Sequence, residues 1–298
     1  MKVEAAIKDY LVDIEIRKYT TKTINTVRLR LGRFAKYLRE ELEIIDCDDI
    51  TPAAVKRFSQ YEMKRGLKGI TINGNLKTIK SFIQYCYEEG FGGYDTNKSK
   101  FKWVKQEKPV VKTFSSRDVK KMFDNCRGNT FLDLRDTAML AMLFETGIRC
   151  QELYTIEPKD IHDDYIIING KNHKQRVVPI TPVLKKAMLR YERVREAYFE
   201  GKNTERNYFL SYTGRALTNA AVEKIMTKRG AGIEGVRVSP HTCRHFFAQQ
   251  QIMMGTDIYT ISRLLGHENI GITQIYLNSL KDEDIIKIAK HNSVLMSL

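Results

Sequence analysis

The chain has 298 residues, 42% of them hydrophobic and 29% charged, a balance that excludes a disordered tail and a membrane-embedded bundle. Its 50 Lys+Arg exceed 36 Asp+Glu for a net charge of +14, which favours a polyanionic partner, nucleic acid ahead of an acidic membrane surface. Five scattered cysteines (Cys47, Cys86, Cys126, Cys150, Cys243) form no Cys-x-x-Cys pair. That argues against a zinc ribbon or a disulfide framework and fits a reducing cytoplasm. The opening MKVEAAIKDY carries charges throughout, and no apolar run approaches spanning length, so neither a signal peptide nor a membrane anchor is expected.

Residues 1–100 read as a helical domain. Ile7, Tyr10, Leu11 and Ile14 recur at helical spacing. Thr20 to Thr23 precede a long amphipathic segment whose buried stripe is Ile24, Val27, Leu31, Phe34 and Leu38, and whose other face carries Lys22, Arg28, Arg30, Arg33, Lys36 and Arg39. Thr51-Pro52, an N-cap and first-turn proline, opens a third helix through Val55, Phe58 and Tyr61. Thr71 to Tyr87 supplies a fourth, with Ile72, Leu76, Ile79 and Phe82 inward and Lys77 and Lys80 on the flank. Thr71, Asn73 and Asn75 are candidates for touching bases, since Asn can pair bidentately with adenine. From Gly90 to about Thr113 the periodicity lapses into glycines, lysines and Pro109. Residues 101–112 are expected to be a basic linker, both hinge and strap, letting two domains close around a duplex.

A second domain is expected over 113–298. Thr113 to Ser116 caps a helix through Val119 and Met122, and Asp133 to Thr146 is apolar nearly all round, the mark of a central helix. It runs into Thr146-Gly147-Ile148-Arg149-Cys150-Gln151-Glu152-Leu153, where Gly147 allows a tight turn and Glu152 can hold the Arg149 guanidinium. Tyr165 to Ile168 and Gln175 to Ile180 are strands, joined as a hairpin through Asn169-Gly170-Lys171-Asn172-His173-Lys174. Pro182 to Glu200 reads as a charged surface helix, Tyr208-Phe209-Leu210 as a short buried piece, and Thr218 as the cap of a helix to Lys228.

The most unusual stretch is Ser239 to Asn278. Ser239 and Pro240 start a helix that ends near Gly255. His241 and Arg244 share one face of its first turn, where the helix end is itself partly positive, an anion site best suited to phosphate. Thr256 is the expected cap of a further helix carrying Ile258, Ile261, Leu264 and Leu265, and Gly266 ends it. His267 follows directly, and Tyr276 comes later in the same run. The tail beyond, with Ile285, Ile286, Ile288, Ala289 and Val294-Leu295-Met296, suggests a short apolar C-terminal helix. His241 and His245 are four apart, but the metalloprotease pattern needs Glu where Thr242 stands, and Arg244 would repel a cation. Neither a metal nor a cofactor is expected.

His241-Thr-Cys-Arg244, then Leu265-Gly266-His267, then Tyr276, with Thr146 to Leu153 ahead of them, resemble in order and interval the signature boxes of the tyrosine site-specific recombinases, the integrase and Xer family. The resemblance implies a mainly α fold with a small antiparallel β-sheet: an N-terminal helical core-binding (SAM-like) domain and a mixed α/β catalytic domain. It also implies a metal- and ATP-independent enzyme. Tyr276 would attack to give a 3′-phosphotyrosine and a free 5′-hydroxyl. Arg149 and Arg244 would clamp the non-bridging oxygens, with His267 as a further donor and Glu152 in support. Lys171, or else Lys174, would protonate the leaving 5′-oxygen, and His241 would take the tyrosine proton.

The implied partner is double-stranded DNA bearing an inverted-repeat site, its backbone touched by Arg28, Arg33, Lys77, Lys80, Lys105 and Lys174. A homotetramer on paired sites is implied, monomeric or dimeric when free, with the C-terminal tail docking on a neighbouring subunit in a nucleoid-associated cytoplasmic assembly. A type IB topoisomerase and a catalytically silent DNA-binding regulator are the alternatives; chain size and the complete residue set favour recombination. Cys243, Phe247 and Gln249-Gln250-Gln251 depart from the usual Xer wording, which leaves a mobile-element integrase and a chromosomal Xer role both open.

Overall fold

Threonine caps and helical stripes turn into helices much as their spacing dictates. The computed structural model describes residues 1–99, 101–105, 112–170 and 174–277, and the chain divides into two units, Met1–Lys108 and Pro109–Leu298. In the first, α1 (Val3–Ile16) buries Val3, Ala6, Ile7, Tyr10, Leu11 and Ile14. Helix α2 (Thr21–Leu42) is capped by the Thr20 side chain, which accepts from the Thr23 N–H. Helix α3 (Pro52–Lys64) has Thr51 as cap and proline in its first turn, and α4 is Gly69–Glu88. The four pack around Leu31, Phe34, Phe58, Ile72, Ile79 and Phe82, all fully buried.

A charge lies in that core. Glu62 is 0% exposed; its carboxylate accepts from Asn75 Nδ2 at 3.0 Å and Arg65 Nη1 at 3.0 Å, with Arg33 at 3.6 Å. This corrects the sequence expectation for Asn75, which is buried against Glu62 and unavailable to a base. Asn73 is likewise committed: its Nδ2 donates to the Val104 carbonyl and its Oδ1 accepts from the Val104 N–H, both at 2.9 Å. Thr71 alone of the three is exposed. Nor is the basic face of α2 uniformly solvated. Arg30 turns inward to the Gly74 carbonyl at 3.0 Å and Thr78 Oγ1 at 3.1 Å, whereas Arg28, Lys77 and Lys105 are exposed and Lys80 is half-buried. Beyond Gly90 the chain stays on this unit: Phe91, Tyr94, Phe101 and Val104 all pack against its core. Helical periodicity therefore lapses well before the chain leaves the first unit's surface.

In the second unit, α5 (Ser116–Asp124) starts with a reciprocal capping box between Ser115 and Asp118. Helix α6 (Phe131–Thr146) is the central rod, with Ala138 through Phe144 all buried. Its buried charges are paired: Asp136 accepts from Arg135 and from Arg229, each at 2.7 Å. Then come α7 (Cys150–Thr155) and the antiparallel pair β1 (Tyr165–Asn169) and β2 (Gln175–Pro179), in register Ile168↔Arg176. Helix α8 (Pro182–Phe199) packs on α6, and α9 (Asn219–Arg229) is capped by Thr218. The last three helices are α10 (Pro240–Met253), α11 (Ile258–Leu265) and α12 (Ile270–Leu277).

The cap of α11 differs from expectation. Asp257 Oδ1 accepts from the Thr260 N–H at 2.9 Å, while the Thr256 hydroxyl donates to Gln251 Oε1. Because the helix begins at Ile258, the carboxylate one residue nearer reaches its first turn. The fold is mainly α with one small antiparallel sheet, and no helix among the described residues is long and apolar enough to cross a membrane.

Candidate active site

Gly147, which ends α6, fixes where everything else converges. Its φ of +60° is left-handed, and a Cβ there would lie 2.5 Å from Phe247 Cδ1 and 2.9 Å from Leu265 Cδ2. Only glycine lets α10 and α11 close on this turn. Arg149 follows as the residue before α7. Its backbone N–H donates to Glu152 Oε2 at 2.8 Å, its Nη1 to Oε1 at 2.9 Å, and its Nη2 to the Gly266 carbonyl at 3.0 Å. The side chain remains 44% exposed, on an anchor only 5% exposed.

Arg244 comes from the first turns of α10 and is 3% exposed. It donates to the Gly147 carbonyl at 2.8 Å and to the Leu265 carbonyl at 2.7 Å, and its guanidinium also hydrogen-bonds the Tyr276 side chain. Burial, and then the nearby Arg149, pull its pKa down to about 10, so it is still charged at neutral pH. Tyr276 lies on α12 at 3% exposure. Burial raises its phenol against the pull of Arg244 and Arg149.

Two imidazoles pack against this tyrosine, and a third packs against one of them. His267 stands just after the left-handed Gly266 cap, its Nδ1 2.8 Å from Thr273 Oγ1. Its ring lies parallel to that of Tyr276 at 6.2 Å. His245 packs on Tyr276 at 5.2 Å and on His241 at 4.2 Å. Arg149, Glu152, Arg244, His267 and Tyr276 thus meet in one place, and the ring contact of His241 is with His245. Lys171 lies outside the described residues. Lys174 is paired with Glu268 at 3.0 Å, both side chains well exposed.

Arg176 of β2 escaped the sequence reading. It is 12% exposed and forks onto Glu152, Nη1 to Oε1 at 2.9 Å and Nη2 to Oε2 at 2.7 Å. Its Nε donates to the Leu264 carbonyl at 2.7 Å. The available signal was alternation: Arg176 shares the inward face of β2 with buried Val178, and an arginine pointing inward needs a buried counter-charge. With Arg149 and Arg176 both bound, the Glu152 carboxyl is held at about 2 against the cost of its burial.

The histidines make a pH prediction. Burial is the leading cause that holds His267 at about 4, with Arg244 and Arg149 adding to it. Burial again, then His241 and Arg244, hold His245 at about 4. In the unfolded chain both would titrate near about 6.5, so between these values the unfolded state binds more protons. Stability therefore rises with pH across that window and is lost as pH falls through it. The thermal midpoint of the free protein should drop from pH 6.5 to 4, and His267→Gln should flatten the dependence. An unchanged slope in that variant would contradict the assignment.

Comparison with known proteins agrees with this arrangement. The phage integrase family matches residues 112–283, and the phage integrase N-terminal SAM-like domain matches residues 7–90. Tyrosine recombinase XerC of Oceanobacillus iheyensis is 30% identical over 291 residues, 94% of this chain and 93% of that protein. Tyrosine recombinase XerC of Thermodesulfovibrio yellowstonii is 29% identical over 275 residues, 87% and 90% of the two. Among solved structures, the XerH site-specific recombinase bound to a palindromic difH substrate in a post-cleavage complex superposes with a TM-score of 0.73 at 19% identity, covering 94% of this chain and 82% of that one. A lambda integrase dimer bound to a COC′ core site gives 0.71 at 16% identity, covering 95% and 97%. With its catalytic portion matched over more than half its length, this chain belongs to the phage integrase family and is a tyrosine recombinase, an enzyme of DNA strand transfer.

Proposed function

We propose that the chain breaks and rejoins duplex DNA at a specific site through Tyr276. The observation that carries this is the convergence of Arg149, Arg244 and His267 on one buried tyrosine. Arg149 and Arg176 share a single carboxylate, Glu152, and the other bonds of Arg149, Arg176 and Arg244 go to neutral carbonyls and to Tyr276. The local charge is net positive, as a phosphodiester requires.

In the proposed step the Tyr276 phenol oxygen bonds to phosphorus and the bond from phosphorus to the 5′-oxygen breaks. The phenol proton passes to His241, and the departing oxygen takes a proton from Lys171. Arg149 and Arg244 hold the non-bridging oxygens, His267 adds a donor as charge grows, and Glu152 orients Arg149. The 3′-phosphotyrosine keeps the bond energy, so a new 5′-hydroxyl can reverse the step without ATP. Arg28, Lys77, Lys80, Lys105 and Lys174 supply contacts to the DNA backbone, together with Arg33 on its Glu62 tether. Assembly on paired inverted-repeat sites as a homotetramer, with the C-terminal tail docking on a neighbour, completes the proposal. The domain boundaries near residues 100 and 113 belong to it too, and the names of the relatives favour recombination over supercoil relaxation.

The test is trapping. The protein is incubated with a pool of nicked duplexes of randomised sequence, and covalent complexes are separated under denaturing conditions. Covalent protein–DNA complex is expected with or without EDTA, from duplexes whose binding weakens steeply with salt as condensed counterions are released. No covalent species from any duplex, or inhibition by EDTA reversed by magnesium or zinc, would overturn the proposal.

A further inference from the structure

The C-terminal end of α11 presents three consecutive carbonyls, and each takes a different arginine. Leu264 O accepts from Arg176 Nε at 2.7 Å, Leu265 O from Arg244 Nη2 at 2.7 Å, and Gly266 O from Arg149 Nη2 at 3.0 Å. The last carbonyls of a helix have no partner within it and form the negative end of its dipole. Three mutually repelling guanidiniums are thereby drawn to one short run of backbone. Gly266 permits the close approach: a Cβ there would lie 3.0 Å from both Arg176 Cδ and Arg176 Nη1.

Only two of these arginines face the reacting groups. Arg149 is 44% exposed, and Arg244 hydrogen-bonds Tyr276. Arg176 is 12% exposed and spends its other two nitrogens on Glu152. Resting on the phosphate chemistry proposed above, we infer that Arg176 is a positioning residue that neutralises Glu152 so that Arg149 keeps its charge for the phosphate.

Glu152 holds Arg149 through two bonds, one from the guanidinium and one from that residue's own N–H. A carboxylate with Arg149 as its sole cation would cancel the very charge the reaction needs. With Arg176 forked onto the same oxygens, the carboxylate is already balanced, and it acts on Arg149 as a geometric stop more than as a counter-ion. The remaining bond of Arg176 adds geometry. Its Nε fixes the end of α11 from which His267 follows, and its strand pairs with β1. One half-buried side chain therefore ties together the pieces that carry Arg149 and His267.

The experiment compares Arg176→Gln, Glu152→Gln, the double variant and Arg176→Lys, using single-turnover formation of covalent complex on a duplex selected from the randomised pool with wild-type protein. Arg176→Gln should slow cleavage by about 10²-fold, the usual cost of small misplacement combined with a weakened clamp. Adding Glu152→Gln removes the unbalanced carboxylate and should return at least about tenfold of that rate, the signature of coupled neighbours. Arg176→Lys keeps the charge without the fork and should fall between Arg176→Gln and wild type.

Thermal unfolding and duplex affinity are measured on all four proteins, so that a fold lost outright is seen as such. If Arg176→Gln fails to fold, the comparison of Arg176→Lys with and without Glu152→Gln decides: relief by the second substitution supports the inference and further loss overturns it. A double variant no faster than Arg176→Gln, with all proteins folded, would reduce Arg176 to a structural tie. A wild-type protein that forms no covalent complex with any duplex would overturn the proposed chemistry itself, and this inference with it.

Discussion

Tyr276→Phe is expected to abolish covalent attachment to DNA while leaving duplex affinity within a few-fold of wild type. The phenol oxygen is the atom that would join phosphorus, and no other group can supply it from that position. The ring remains, so its contacts with His245 at 5.2 Å and His267 at 6.2 Å survive. Loss of the hydroxyl also removes a hydrogen bond to Arg244. That guanidinium keeps the Gly147 and Leu265 carbonyls, so the clamp should stay formed and the variant should bind as a silent copy. The measurement is covalent yield on a denaturing gel beside an equilibrium binding titration. A full yield of covalent complex from the variant would move the nucleophile to another residue. A large fall in affinity would instead mean that the hydroxyl helps to assemble the phosphate site.

What the sequence made legible was whatever a residue does through its own helix or turn. Ser239 and Pro240 start α10, Gly147 and Gly266 take left-handed caps, and the inward stripe of α6 makes it the central rod. Each follows from spacing and backbone preference within a few residues. The same reasoning gathered Arg149, Arg244, His267 and Tyr276, because their intervals match a pattern already tied to one fold. Illegible were roles set by an unseen partner far along the chain. Asn73 and Asn75 look like polar residues on a free helix flank until Val104 and Glu62 are placed beside them. Arg30 belongs to a basic stripe by periodicity but is claimed by the Gly74 carbonyl. Arg176 sits in a run of strand residues, and only the approach of Glu152 and the end of α11 gives it a task. His245 shows the same limit: its spacing from His241 and the Arg244 between them spoke against a metal, but nothing in the sequence showed that its ring packs on His241 and Tyr276.

Lys171→Ala should slow cleavage of ordinary DNA by about 10²–10⁴-fold, the usual contribution of general acid catalysis. The proposed task of this lysine is to give a proton to the 5′-oxygen as it departs, and an unprotonated alkoxide is a poor leaving group in water. A thiolate needs no such help, since its conjugate acid has a pKa of about 8.5, that of a cysteine thiol. With sulfur at the bridging 5′ position the variant should therefore recover most of its rate. Arg149→Ala should show no such recovery, because the guanidinium serves the non-bridging oxygens whichever atom leaves. Lys174 is the control that decides between neighbours in the hairpin. Its ion pair with Glu268 at 3.0 Å is exposed on both sides, hence weak and readily given up, so Lys174 could also turn to the phosphate. Sulfur rescue of Lys174→Ala, with Lys171→Ala cleaving normally, would move the acid three residues along the hairpin. Equal rescue of Lys171→Ala and Arg149→Ala would break the division of labour between acid and clamp altogether.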